Sequence, residues 1–156
     1  VAYVHAGGKI GVLVNFATDI DNTNPEFIAY GKDIAMQIAA LNTPYLSEAD
    51  VPAEVIEHEK NIMVEQMKND PKMASKPEQV LNNIVKGKLG KYYKENCLVD
   101  QEFVKDSSLT VGKYTDATAK KLGGSIEIKK FIRFEKGEGI EKRQDDFAAE
   151  VASMVK

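Results

Sequence analysis

The sequence has no tryptophan, one cysteine and two histidines, and these scarcities exclude much chemistry. The single Cys97 forms no internal disulfide and brings no second thiol to a Cys-based metal site, so a reducing compartment, the cytoplasm, is the expected location. His58 stands in Glu57-His58-Glu59 without the second histidine of an HExxH zinc motif, and His5 is remote in sequence. Positive charge is not in excess either: 21 Lys and Arg face 24 Asp and Glu, for a net charge of -3. Phosphate neutralisation needs clustered surplus cations, so nucleic acid is not an expected partner. No apolar run reaches the roughly 18 residues of a membrane span, and no secretory leader pattern opens the sequence. A first residue of Val1, inside a β-like pattern, predicts a piece of a longer protein.

Catalytic groupings are also missing. Gly87-Lys88-Leu89-Gly90-Lys91 lacks the GxxxxGK[ST] spacing and falls in a helical pattern, where backbone amides are not free to cradle phosphate. Gly7-Gly8-Lys9-Ile10-Gly11 is no GxGxxG and no helix follows it. Acid pairs such as Asp145-Asp146 and Glu138-Glu141 need a cleft to become general acids, and no local pattern supplies one. Cys97 precedes Leu98-Val99 and reads as a small buried hydrophobe. The expectation is a protein without cofactor or metal that is not an enzyme.

What is present is an ordinary core-forming composition. With 43 % hydrophobic and 29 % charged residues over 156 positions, one globular domain spanning 1–156 is expected. Val1 to His5 and Ile10 to Phe16 are β-like runs joined through Gly7-Gly8, a pair suited to a tight hairpin. Ile126, Ile128, Ile132 and Phe134 alternate with Glu127, Lys129, Arg133 and Glu135, which predicts a strand over 125–135 with those four apolar residues on its buried face. Together the runs make a three-stranded antiparallel sheet. Asn24-Pro25 starts a helix carrying Phe27, Ile34, Ile38 and Leu41 on one side. A second helix begins near Asp50-Val51-Pro52, carries Ile56, Met63 and Met67, and ends at Asn69-Asp70-Pro71. A third begins at Ser75, in capping-box relation to Glu78, and continues through Leu81, Ile84, Val85, Leu89 and Tyr92. Residues 51–96 therefore read as a projecting antiparallel helical hairpin, since charged positions leave only a narrow apolar seam. Thr110 caps a short helix with Val111, Tyr114 and Leu122 on one face, stopped at Gly123-Gly124. A last helix over 144–156 carries Phe147, Val151 and Met154 at i, i+4, i+7. The predicted fold class is α+β: a small three-stranded antiparallel sheet covered by helices, with the hairpin arm.

The segment Arg133 to Ala148, RFEKGEGIEKRQDDFA, joins a strand, a glycine-hinged charged loop at Gly137 and Gly139, and a helix start. Loops held by a rigid scaffold are where binding residues concentrate. This segment resembles the C-terminal end of bacterial elongation factor Ts, the guanine-nucleotide exchange factor of elongation factor Tu. Similar wording occurs at YVHAGGKIGVLV (residues 3–14), DIAMQIAA (33–40), GKLGK (87–91) and FVKDSSLTVG (103–112), so the resemblance covers essentially the whole chain in family order. It implies the arm, a cytoplasmic role in translation, and elongation factor Tu, GDP-bound or nucleotide-free, as partner.

The resemblance also implies site residues. In the family the histidine of the motif matched by His5 contacts the third domain of elongation factor Tu, which makes His5, with Gly7 and Gly8 on the sheet rim, the expected contact. The C-terminal helix of the family meets the nucleotide-binding domain, so Phe147, Val151 and Met154 serve either that contact or the chain's own core. The family's exchange motif is TDFV, in the preceding subdomain. Here Thr18-Asp19-Ile20 carries Ile in place of Phe and matches the duplicated counterpart of that subdomain, so Asp19 is expected to be a loop or helix-leading acid. The family's N-terminal domain and first core subdomain are not in this sequence. The expected role is anchoring of the partner rather than exchange. The alternative is a structural module that homodimerises, the arm at 51–96 and the exposed sheet edge pairing with a second copy; family members can dimerise through this subdomain.

Overall fold

A hairpin at the start of the sequence and a strand more than a hundred positions later pair into one antiparallel sheet in the computed structural model, which describes residues 1–140. The helix expected over 144–156, with Phe147, Val151 and Met154, lies outside the described residues. Strand β1 (Ala2–His5) pairs with β2 (Ile10–Thr18), and β2 pairs along its other edge with a strand at Ile126–Glu135. Between β2 and that strand come α1 (Pro25–Leu41), α2 (Ala53–Asn69), α3 (Pro71–Ala74), α4 (Glu78–Asn96), the short pair β3 (Glu102–Phe103) and β4 (Asp106–Thr110), and α5 (Val111–Leu122); the strand at 126–135 is β5. The α+β class and the three-stranded sheet agree with the sequence reading.

Helix α1 forms where the local chemistry predicts. Asn24 Oδ1 accepts hydrogen bonds from the N–H groups of Glu26 and Phe27 at 2.9 and 3.4 Å, and Pro25 occupies the first turn, where a missing N–H costs nothing. Phe27, Tyr30, Ile34 and Ile38 recur at helical spacing and are buried against Val12, Val14 and Ile128 of the sheet and against Leu98 and Val111. Complete burial of a side chain the size of Ile34 contributes about 1.5–3 kcal/mol. Leu41 departs from the expected stripe: it is 47 % exposed at the last turn, where the chain leaves through Asn42 with φ 48°.

A bulge decides which residues of β5 face the core. Phe16 pairs with Ile128 and Asn15 with Lys130, so Lys129 is extra and the alternation changes phase there. Before the bulge Ile126 and Ile128 face the core on the side of α5, as expected of a buried face. Beyond it Phe131 and Arg133 face inward, opposite Val14 and Val12, whereas Ile132 and Phe134 turn to the open face and are 42 % and 56 % exposed. The expected single buried face is thus correct for half the strand and inverted for the rest.

Helices α2 and α4 form the expected hairpin. The last part of α2, at Val64 and Met67, faces the first part of α4, at Leu81 and Val85. Only Met63, Met67 and Leu89 are buried in these two helices, which makes the seam narrow. The third helix does not start at Ser75. Asp70 caps the short α3 by accepting from Lys72 N–H at 2.9 Å, Ser75 ends that turn, and α4 opens after Pro77 with no side-chain cap. The arm's root is tied to the domain by backbone hydrogen bonds from Tyr45 N–H to Asn96 C=O and from Leu98 N–H to Tyr45 C=O, at 3.2 and 2.9 Å.

Candidate partner-binding surface

The tip of the β1–β2 hairpin brings together three of the six site residues expected from the sequence. His5 ends β1, and Ala6, Gly7 and Gly8 follow with φ of 51°, 65° and 88°. The connection is a turn of 3-10 type over Ala6–Gly8, longer than the two-residue hairpin expected of Gly7-Gly8. A Cβ added at Gly7 or Gly8 would meet nothing within 4 Å, so these glycines answer a backbone demand for left-handed φ at an exposed tip.

Beside this turn lies the charged loop that follows β5. Lys136 N–H donates to Lys9 C=O at 2.8 Å, and the Glu138 carboxylate accepts from Glu135 N–H at 3.3 Å. The hairpin tip and the RFEKGEGI segment therefore form one rim. Pairing places His5, Ile10 and Glu135 in one cross-strand row, and Tyr3, Val12 and Arg133 in the next. Arg133 Nη2 meets Glu135 at 2.9 Å, while its buried Nε has no hydrogen-bond partner among the described residues. Tyr3 OH lies 3.0 Å from His5 Nδ1, with the two rings 5.8 Å apart and inclined by 30°.

The open face of the same sheet carries a second feature that the sequence reading missed. Ala2, Leu13 and Ile132 form one row and Val4, Gly11 and Phe134 the next, and Val4, Leu13, Ile132 and Phe134 are all exposed. The signal was the doublet Lys129-Lys130, which cannot be accommodated in a period-two strand with one wet face and therefore marks the bulge.

Thr18-Asp19-Ile20 is tied at the surface to another part of the same chain. Thr18 Oγ1 donates to Ser125 C=O at 2.7 Å, and Asp19 Oδ1 accepts from Ser125 N–H at 2.6 Å. The Ser125 backbone N–H, then its side chain, hold the Asp19 carboxyl below the usual carboxylate range. This clip joins the end of β2 to the turn between α5 and β5.

The remaining candidates are quiet. His58 is exposed on the arm. Cys97 is fully buried, and desolvation pushes its thiol up to about 11, away from the reactive thiolate. No group of three His, Cys, Asp or Glu side chains fit to hold a metal occurs among the described residues. Nor is any helix among them long and apolar enough to cross a membrane.

Comparison with known proteins identifies the class as translation elongation factors. Residues 1–138 match the family described as Elongation factor TS. Elongation factor Ts of Desulforamulus reducens is 45 % identical over 157 residues, covering 99 % of this chain and 70 % of that protein. Elongation factor Ts of Desulfitobacterium hafniense is 47 % identical over 152 residues, covering 96 % and 68 %. For Symbiobacterium thermophilum the identity is 47 %, but the match spans only 49 % of the relative. The chain belongs to the elongation factor Ts family.

Proposed function

We propose that this chain docks on the GTPase elongation factor Tu through the rim of His5 and the Ala6–Lys9 turn, and that it anchors the partner rather than driving GDP release. The observation that carries this reading is the rim itself: a half-buried imidazole held by Tyr3 beside an open glycine turn. Phe147, Val151 and Met154, outside the described residues, remain candidates for a second contact. A protein of this kind needs no cofactor and makes no bonds. It works where the translation machinery does, in the cytoplasm, without touching nucleic acid or membrane.

Anchoring without exchange follows from linkage. A partner that accelerates GDP loss must bind the nucleotide-free state more tightly, by the factor by which it weakens GDP. The Thr18-Asp19-Ile20 segment is occupied by Ser125, which supports a structural role over pressing on a partner's nucleotide site. The test is capture of elongation factor Tu, GDP-loaded and nucleotide-free, together with GDP release with and without the chain. Binding in both states with little acceleration is expected. Release as fast as with a full-length elongation factor Ts overturns anchoring, and no capture in either state overturns the partner. His5→Ala should weaken capture roughly tenfold, the size of one lost hydrogen bond of about 1–1.5 kcal/mol.

A second reading, homodimerisation, is favoured by the open sheet face. Val4, Leu13, Ile132 and Phe134 make a contiguous exposed apolar patch, a feature that marks interaction sites. Both roles are compatible, because the patch and the His5 ring lie on opposite faces of the sheet.

A further inference from the structure

We infer that Tyr3 is a positioning residue for His5, fixing the imidazole so that its Nε2–H is presented to an oxygen acceptor of the partner. The inference rests on the docking reading above and adds which atom makes the contact and what it must meet. Tyr3 and His5 are two apart on β1, so their side chains share a face of the sheet. Their rings stack, and the phenol oxygen sits 3.0 Å from Nδ1. A neutral imidazole has one donor and one acceptor nitrogen, and the hydrogen bond made by one decides the role of the other. A phenol is a stronger donor than acceptor, so Tyr3 O–H donates to Nδ1 and the ring proton goes to Nε2. Tyr3 itself is held because it packs against the core beside Val12. The ring consequently enters the encounter with its tautomer and angle already set, which removes ordering cost from binding.

The geometry has a consequence that simple burial of an aromatic does not share. A side-chain amide at the end of a glutamine reaches the place of Nε2, whereas that of an asparagine reaches only the place of Nδ1. His5→Gln should therefore retain most of the capture of elongation factor Tu, and His5→Asn should lose about as much as His5→Ala. Tyr3→Phe keeps the stacked ring and removes only the hydroxyl. It should weaken capture severalfold in the wild-type background and not at all in the His5→Ala background. In the free full chain at mildly alkaline pH, nitrogen NMR of the imidazole should show Nδ1 unprotonated and Nε2 protonated, with a mixture of tautomers in Tyr3→Phe. A proton on Nδ1 in the wild type overturns the inference, as does a Tyr3→Phe loss that persists when His5 is alanine. Either result leaves docking through His5 intact provided His5→Ala itself weakens capture. Unchanged capture by His5→Ala removes His5 from the surface and overturns both.

Discussion

Tyr30 donates its hydroxyl proton to Thr115 Oγ1 across 2.8 Å of the core, and the direction is fixed because Thr115 spends its own proton on the Val111 carbonyl at 2.9 Å. The pair joins α1 to α5, and burial raises the Tyr30 phenol well above its ordinary range, so it stays protonated. The two truncations should then be unequal. Tyr30→Phe leaves Thr115 with a satisfied proton and costs about 1 kcal/mol, the net worth of one hydrogen bond. Thr115→Val leaves a buried phenol O–H without an acceptor and costs about 1–3 kcal/mol. Urea unfolding of the two variants checks the order; equal losses would mean that the hydroxyl of Tyr30 finds another acceptor.

Local chemistry made much of this fold readable, and non-local geometry hid the rest. Asn24, Thr110 and Gly123 act as the caps their residue types suggest, since a cap depends on three or four neighbouring residues. The phase of β5 depends instead on a bulge formed with Asn15 and Phe16, more than a hundred positions earlier, and treating Ile126 to Phe134 as one face hid the outer patch. Ser75 failed as a cap because Pro71 and Asp70 start a turn of their own first. His5, Gly7 and Gly8 were named from likeness to a family. Their juxtaposition with the loop at 136–140 follows from the pairing of β2 with β5, and the contact of Tyr3 with His5 from side-chain packing, neither of which local sequence specifies.

Acid should weaken the clip at Asp19. Its carboxyl is held by Ser125 below the usual range in the folded chain, so it favours folding above the unfolded value of about 3.9. That contribution is lost as pH falls through the lower folded value. The difference in melting temperature between wild type and Asp19→Ala is expected to be largest near neutrality and to shrink as pH drops below about 4. A difference independent of pH would assign the effect to packing. Gly124→Ala tests the same contact from the other side, since its Cβ would lie 2.5 Å from Asp19 Oδ1 and from Ile20 Cγ1. Overpacking of this kind costs about 1–3 kcal/mol.

Gln101 should govern how firmly the arm is held. Its amide Nε2 donates to the Glu95 carbonyl at 3.0 Å, one of the last carbonyls of α4, which have no partner within the helix. Its Oε1 accepts from Gln37 and Thr43, at 3.2 and 3.1 Å, in a fully buried network. Gln101→Leu leaves the Thr43 hydroxyl and the Glu95 carbonyl without these partners and should cost about 1–3 kcal/mol. Faster amide exchange over 92–98, with α1 unaffected, is the expected local signature. Uniform acceleration throughout the chain would show that the arm root and the core open as one unit.

The outer sheet face separates stability from association. Leu13 and Phe134 are 49 % and 56 % exposed and contribute little to the core, so Leu13→Glu and Phe134→Glu should each change unfolding free energy by about 0.5 kcal/mol or less. A second copy bound over this face would bury both side chains. The acids would then place charge in an apolar contact, where truncation or replacement of central residues has its largest effects. Sedimentation should show wild-type chains associating as concentration rises and the double variant remaining monomeric. Wild-type chains that stay monomeric at every concentration end the dimer reading. Association undisturbed by the acids moves the interface away from this face, leaving the arm or the sheet edge to account for it.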